Sequence, residues 1–183
     1  PAAMQGQLVT VYFEAIMGKQ EVFLNGKLVR KHAGGYLPFS VNLTDYGIKA
    51  GDKCVLAVMT DNSNDKNYPP GKPQYTLDFA YHGGIYRDVW LIGKSDVSIT
   101  DALEANKVAG GGVFVHFDQI SEKKAQVFVD TEVKNSGTAR RVVTLETTLT
   151  DASGKKVKQT SSRVMLNAGE SVTVKQKMQV SNP

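Results

Sequence analysis

Asp78 stands nine residues before Arg87 in the stretch Asp78-Phe79-Ala80-Tyr81-His82-Gly83-Gly84-Ile85-Tyr86-Arg87-Asp88-Val89, where a Gly-Gly hinge directly precedes an apolar run carrying one cation and one anion. An ionised carboxylate is a pure acceptor. It can take hydrogen bonds from two neighbouring hydroxyls through the stronger, charge-assisted kind of bond; the alternative for Asp78 is a solvated loop aspartate or a cap. Asp61 and Asn62 open a long polar loop, 61–73, and read either as support for a site around Asp78 or as Asx residues that start a turn. Arg87 reads as a half-buried structural cation paired with a carboxylate or loop carbonyls. Strand alternation sends Asp88 to the opposite face. Gly83 and Gly84 serve backbone geometry, through positive φ or close chain approach.

Other chemistries find less support. Tyr68, Tyr75, Phe79 and Tyr81 offer ring faces, with packing in the core or the loop as the expectation for each. The histidines, His32, His82 and His116, are dispersed without the spacing a zinc site needs, and no metal site is expected in this chain. His82 is a candidate lining residue beside Gly83; His116 alternates with Val115 and Phe117 as a surface strand residue. Cys54 is the single cysteine, so no intrachain disulfide can form, and it reads as a small buried hydrophobe. No Gly-rich phosphate loop, nucleophile elbow or His-Glu-x-x-His pattern occurs.

The elements that must position these residues are strands. With 183 residues, 41% of them hydrophobic and 22% charged, the chain is long enough for two domains and too apolar to be disordered. The net charge of +4 divides evenly: residues 1–94 hold 10 basic and 8 acidic residues, and residues 95–183 hold 12 and 10. Basic clusters such as Arg140-Arg141 adjoin turns or alternate with apolar residues, which argues for solvated faces and against a nucleic-acid partner. No apolar run is long enough to span a membrane. Pro1-Ala2-Ala3-Met4 lacks the charged and apolar regions of a signal peptide, and a chain opening so abruptly into a strand reads as part of something longer.

Period-two alternation predicts strands over 8–13, 22–24, 27–30, 54–59, 85–92 and 97–100. Asn25-Gly26 suits a two-residue type I′ hairpin turn, whose central residues both need positive φ. The second half repeats the pattern at 113–117, 125–135, 141–150, 155–164 and 171–180, separated by Gly- and Asn-containing turns. Such spacing without a crossover helix indicates an antiparallel sandwich of immunoglobulin or fibronectin type. The one helix-like octet, 101–108, is too short to stand without tertiary support. A boundary near Gly93-Lys94-Ser95 divides the chain into domains 1–94 and 95–183.

Taken in order, Phe23-Leu24-Asn25-Gly26-Lys27, His32-Ala33-Gly34-Gly35-Tyr36-Leu37-Pro38-Phe39, Leu43-Thr44 and Gly83-Gly84-Ile85-Tyr86-Arg87-Asp88-Val89 resemble the sugar-binding domain of glycoside hydrolase family 2. The back half, with Asn135-Ser136-Gly137 and Ala168-Gly169-Glu170-Ser171, resembles the immunoglobulin-like domain that follows it. The resemblance implies an all-β chain: a jelly-roll, galactose-binding-like sandwich and then an immunoglobulin-like one. It implies a retaining β-glycosidase parent, β-galactosidase-like and bacterial, hydrolysing terminal β-linked sugars of oligo- or polysaccharides. For a bacterial glycan-degrading parent it favours a periplasmic or secreted location.

The expected partners are therefore a carbohydrate, a β-galactoside or related glycan, and a catalytic barrel in the same polypeptide. A retaining enzyme needs two carboxylates about 5–5.5 Å apart. The 18 acids here supply no convincing pair, and a barrel of ~250 residues does not fit; the chain alone is expected to be inactive. The resemblance makes Asp78 the substrate ligand, reaching into the barrel to bind sugar hydroxyls, directly or through a sodium or magnesium ion held in the parent. Family members begin the first domain with strands ahead of the segment matching 8–13. Without them, exposed sheet edges are expected. A stand-alone carbohydrate-binding module and an adhesive tandem of sandwiches are the alternatives.

Overall fold

The structure, a computed structural model, describes residues 2–183 and divides into two compact units that part between Ser95 and Asp96. In the first unit β1 (Leu8–Phe13) pairs antiparallel with β5 (Phe39–Asn42) and β8 (Val89–Lys94). A second sheet pairs β3 (Lys19–Leu24) with β4 (Lys27–Ala33) and β6 (Leu56–Asp61). A short third pair joins β2 (Ile16–Met17) to β7 (Gly84–Ile85). Alternation explains the core: Val9, Val11 and Phe13 of β1 meet Val22 and Leu24 of β3 and Phe39 and Val41 of β5. Each such side chain contributes about 1.5–3 kcal/mol by leaving water. Cys54 is half-buried and packs against this cluster as a small hydrophobe.

The Asn25-Gly26 turn has the expected geometry, with φ of 50° and 81°. It also reaches across the sheet, because Asn25 Oδ1 accepts from Val55 N at 2.9 Å.

The expected single strand over 85–92 is instead broken. β7 ends at Ile85, the chain bends at Arg87, and β8 begins at Val89. Arg87 and Asp88 therefore both lie exposed, and no opposite-face alternation applies to them. Among the described residues β8 has one hydrogen-bonded neighbour, and Val89, Trp90 and Leu91 along it are exposed, which leaves an apolar sheet edge. Two elements went unmarked by alternation, β2 and β5. Two- and four-residue strands are too short to establish a period.

In the second unit β11 (Lys124–Asn135) pairs with β14 (Ser171–Ser181) on one side and with β10 (Val113–Asp118) and β9 (Val97–Ile99) on the other. β12 (Arg141–Thr150) and β13 (Lys156–Leu166) form the facing pair. Val127, Val129, Met178 and Val180 fill one end of the core; Val133, Val164 and Leu166 fill the other. Polar groups lock the layers together. Gln176 of β14 donates to Ser162 Oγ at 3.0 Å and accepts from Thr147 at 2.6 Å, joining both strands of the facing pair. The octet 101–108 supplies only one helical turn, α1 (Ala102–Ala105), capped by Asp101. Lys107 beyond it pairs with Glu132, whose side chain is 3% exposed. That ion pair holds the Glu132 carboxyl below the usual carboxylate range against the opposing effect of burial.

Candidate functional site

The polar loop 61–73 and the segment 74–84 belong to the first unit and are placed by three glycines. Gly18 has φ +93°, and a Cβ built there would stand 2.0 Å from the Asp61 carbonyl oxygen and 2.8 Å from Asn62 Cα. The bend after β2 thus runs directly against the end of β6, an approach that only glycine permits. A Cβ on Gly83 would lie 2.3 Å from the Asn62 amide nitrogen, so Asn62 rests on the Gly83 backbone. Gly84, with φ +75°, pairs opposite Met17. The Gly-Gly hinge therefore serves both close approach and positive φ.

Hydrogen bonds brace the loop internally. Asp61 Oδ1 accepts from Ser63 N at 2.9 Å, the start of an Asx turn. Hydrogen bonds from Ser63, side chain first and then backbone, hold the Asp61 carboxyl below its ordinary range. Asp65 accepts from Asn67 and pairs with Lys19 at 2.5 Å. The hydrogen bond between Lys19 and Asp65 raises the one group and lowers the other. Tyr68 donates to Ser63 O at 3.3 Å, and the Lys19 ammonium lies 5.8 Å from the centre of its ring. Partial burial pushes the Tyr68 phenol up. Tyr81 donates to Asn64 Oδ1 at 3.3 Å. A single 3-10 turn, Gln74–Thr76, is fixed where Thr76 N and Oγ1 both donate to Pro73 O, at 2.9 and 2.7 Å.

These braces bring some of the sequence-derived residues together and leave others apart. Asn62 and Tyr81 line one open concavity of about 570 Å³ with Ser63, Asn64, Gln74 and Tyr75. Neither Asp61 nor Asp78 lines it. Asp78 is exposed on the following bend, as are Phe79 and His82. Among the described residues no hydrogen bond or ion pair engages its carboxylate.

Packing holds for Tyr68 and Tyr81 but not for Tyr75 or Phe79, whose rings face solvent. Arg87 forms no ion pair with any described residue; its guanidinium lies 5.6 Å from the Tyr86 ring centre. The bend at Arg87 removes it from the strand interior where a paired cation was expected. Tyr86 instead supplies the tie, donating to Gly35 O in a short contact. His32 is half-buried and stacked on Phe39 at 4.5 Å, and His116 is exposed and stacked on Phe128 at 4.9 Å. Ser63, Asn64 and Gln74 escaped the sequence reading, since polar loop residues look alike until the turn folds them onto one face.

Among the described residues no group of three His, Cys, Asp or Glu side chains converges in a way that could hold a metal ion. A lone exposed carboxylate does not make a hard-cation site, which takes six or more oxygens for calcium and six for magnesium. The cation implied for Asp78 therefore does not fit the ligands of this chain by themselves. No helix among the described residues is long and apolar enough to cross a membrane.

The chain is thus two consecutive antiparallel β units, the first presenting braced polar loops beside the exposed Asp78. Family comparison agrees: residues 2–95 match the sugar-binding domain of the family 2 glycosyl hydrolases, and residues 108–183 match a second family 2 model. The chain belongs to glycoside hydrolase family 2. A β-glucuronidase of Formosa agariphila is 28% identical over the whole chain, and β-galactosidase BoGH2A of Bacteroides ovatus is 31% identical over 97% of it. Each alignment takes in 19% of the relative, so the chain spans about a fifth of the length of the curated relatives it matches. The crystal structure of a Bacteroides uniformis β-glucuronidase superposes with a TM-score of 0.84 at 27% identity, covering all of this chain and 21% of that one.

Proposed function

We propose that these 183 residues are the front of a retaining β-glycosidase, acting on terminal β-linked sugars, and that the first unit shapes the mouth of an active site whose catalytic barrel lies elsewhere in the polypeptide. The observation that carries this is the exposed, unpartnered Asp78 beside loops pinned by Gly18 and Gly83, in a chain whose relatives are glycosidases about five times as long. A carboxylate without protein partners keeps its acceptor capacity for two sugar hydroxyls. Asp61 spends part of its capacity on Ser63 and acts by shaping the loop, while Asn62 is held on the Gly83 backbone with its amide at the mouth.

The test is to express the parent gene and follow nitrophenyl β-galactoside and β-glucuronide hydrolysis. The parent is expected to turn over at least one of them, and Asp78→Ala to raise KM more than it lowers kcat. The 183-residue chain alone is expected to release no nitrophenol. Release that scales with its own concentration would overturn the assignment, as would a parent indifferent to Asp78→Ala.

A further inference from the structure

We propose that the concavity walled by Asn62, Ser63, Asn64, Gln74, Tyr75 and Tyr81 is a second sugar-contact surface, distinct from Asp78, that holds a neutral pyranose unit of an oligosaccharide; this rests on the glycan-directed role proposed above.

Its lining consists of three carboxamides, one aliphatic hydroxyl and two phenols, with no ionised side chain. Each carboxamide presents donors and an acceptor side by side, which matches the alternating donor and acceptor character of adjacent sugar hydroxyls. Without a cation in the wall, a phosphate or a carboxylated sugar finds no opposite charge here to offset the cost of its desolvation. The polar lining is equally wrong for a lipid chain.

Tyr75 supplies the apolar component. Its side chain is 88% exposed, although a tyrosine ordinarily buries most of its ring. It belongs to none of the core clusters among the described residues. The ring stands on the 3-10 turn 74–76, whose backbone Thr76 fastens to Pro73, so it is carried on a fixed base. A flat aromatic face held out in water suits the C–H face of a pyranose, while the neighbouring amides suit its hydroxyls.

The polar groups are partly preorganised, which lowers the ordering cost of binding. Tyr81 occupies Asn64 Oδ1 and leaves the Asn64 amide protons for a ligand. Asn62 is set by its contact with Gly83. A volume of about 570 Å³ lies within the ~300–1,000 Å³ of small-molecule sites. Its open form fits one unit of a chain lying across the surface.

Saturation-transfer NMR and titration calorimetry on the 183-residue chain test this, using a neutral β-linked galacto-oligosaccharide and a glucuronate-terminated oligosaccharide at millimolar concentration. The neutral glycan is expected to bind through one pyranose unit, and the anionic terminus to add nothing. Tyr75→Ala is expected to weaken binding at least about tenfold, the loss found on truncating an aromatic anchor; Tyr36→Ala, at an exposed tyrosine of the same unit outside the lining, should leave it unchanged. Tyr75 is exposed, so the variant keeps the fold, which an unchanged Trp90 emission spectrum would verify. Absence of neutral-glycan binding, indifference to Tyr75→Ala, an equal loss in Tyr36→Ala, or preference for the anionic terminus would each overturn the proposal. Because nitrophenyl glycosides offer no second sugar, hydrolysis by the parent succeeds or fails independently of this surface.

Discussion

Gly18 sets the position of the loop mouth, and its replacement by alanine tests that geometry against two neighbouring glycines. The added methyl carbon would meet Asp61 O at 2.0 Å, Asp61 C at 2.7 Å and Asn62 Cα at 2.8 Å. All three are backbone atoms, so no rotamer change relieves the contact. An L-residue at φ +93° costs about 1–2 kcal/mol, and shifting packed backbone costs about 1–3 kcal/mol more. Gly18→Ala should therefore destabilise the first unit by about 2–5 kcal/mol. Gly84→Ala shares the positive φ, at +75°, but its nearest new neighbour is Thr60 Oγ1 at 4.0 Å. It should cost only the backbone share, about 1–2 kcal/mol. In Gly83→Ala the clash is with the Asn62 amide, a side-chain end that can swing away, so stability should change by less than about 1 kcal/mol while Asn62 leaves its place. Urea denaturation followed at Trp90, the single tryptophan and a member of this unit, measures all three. A Gly18→Ala cost no greater than that of Gly84→Ala would refute the close-approach argument.

Two further outcomes follow from buried polar groups. Asn135 is fully buried, donating to Ala139 O at 2.8 Å and Asn167 O at 2.9 Å and accepting from Gly137 N at 3.0 Å. Asn135→Ala should destabilise the second unit by about 3 kcal/mol, at about 1 kcal/mol or more for each group left unpaired. Far-UV circular dichroism is the probe, since every tryptophan and tyrosine lies before residue 87 or at Trp90, and a loss under about 1 kcal/mol would contradict the network. His32 is depressed, first by burial and then by the charge of Arg30. Its folded pKa lies below its unfolded value, so stability is intact above pH 6.5 and declines as the pH falls from there toward the folded value. His32→Phe should flatten that slope in the Trp90 transition, and an unaltered slope would assign it to other groups.

The legible parts of the fold were those written in local pattern. The Asn25-Gly26 turn and the long strands of the second unit follow from residue type and alternation. What escaped is non-local. Nothing in the local sequence says that Gly18 lies under Asp61, or that the run after Gly84 bends at Arg87, because both depend on where β2 and β6 come to rest. The candidate site was half legible for the same reason. Asn62 stood out at the opening of a polar loop and Tyr75 and Tyr81 as ring faces, whereas Asn64 joined them through its bond from Tyr81 and Gln74 through the turn that Thr76 fastens to Pro73. The Arg87 expectation failed because pairing a cation presupposes a continuous strand to bury it.

The hairpin turn at Asn25 carries a further consequence, one of chemical ageing. An asparagine followed by glycine is the sequence most open to attack by the next backbone nitrogen on the side-chain carbonyl carbon, which expels ammonia and closes a succinimide. Here Gly26 is that neighbour, and Asn25 Oδ1 is held by Val55 N. While the hairpin stays folded, that bond restrains the side chain from turning onto its own backbone. Whenever the end of β3 parts from the start of β6, the restraint goes. Opening of the imide to isoaspartate would lengthen the backbone by one carbon at a two-residue turn that has no slack, so the damage would be recorded in the hairpin itself. The residue pair that lets the strands meet is thus also the one that dates the molecule.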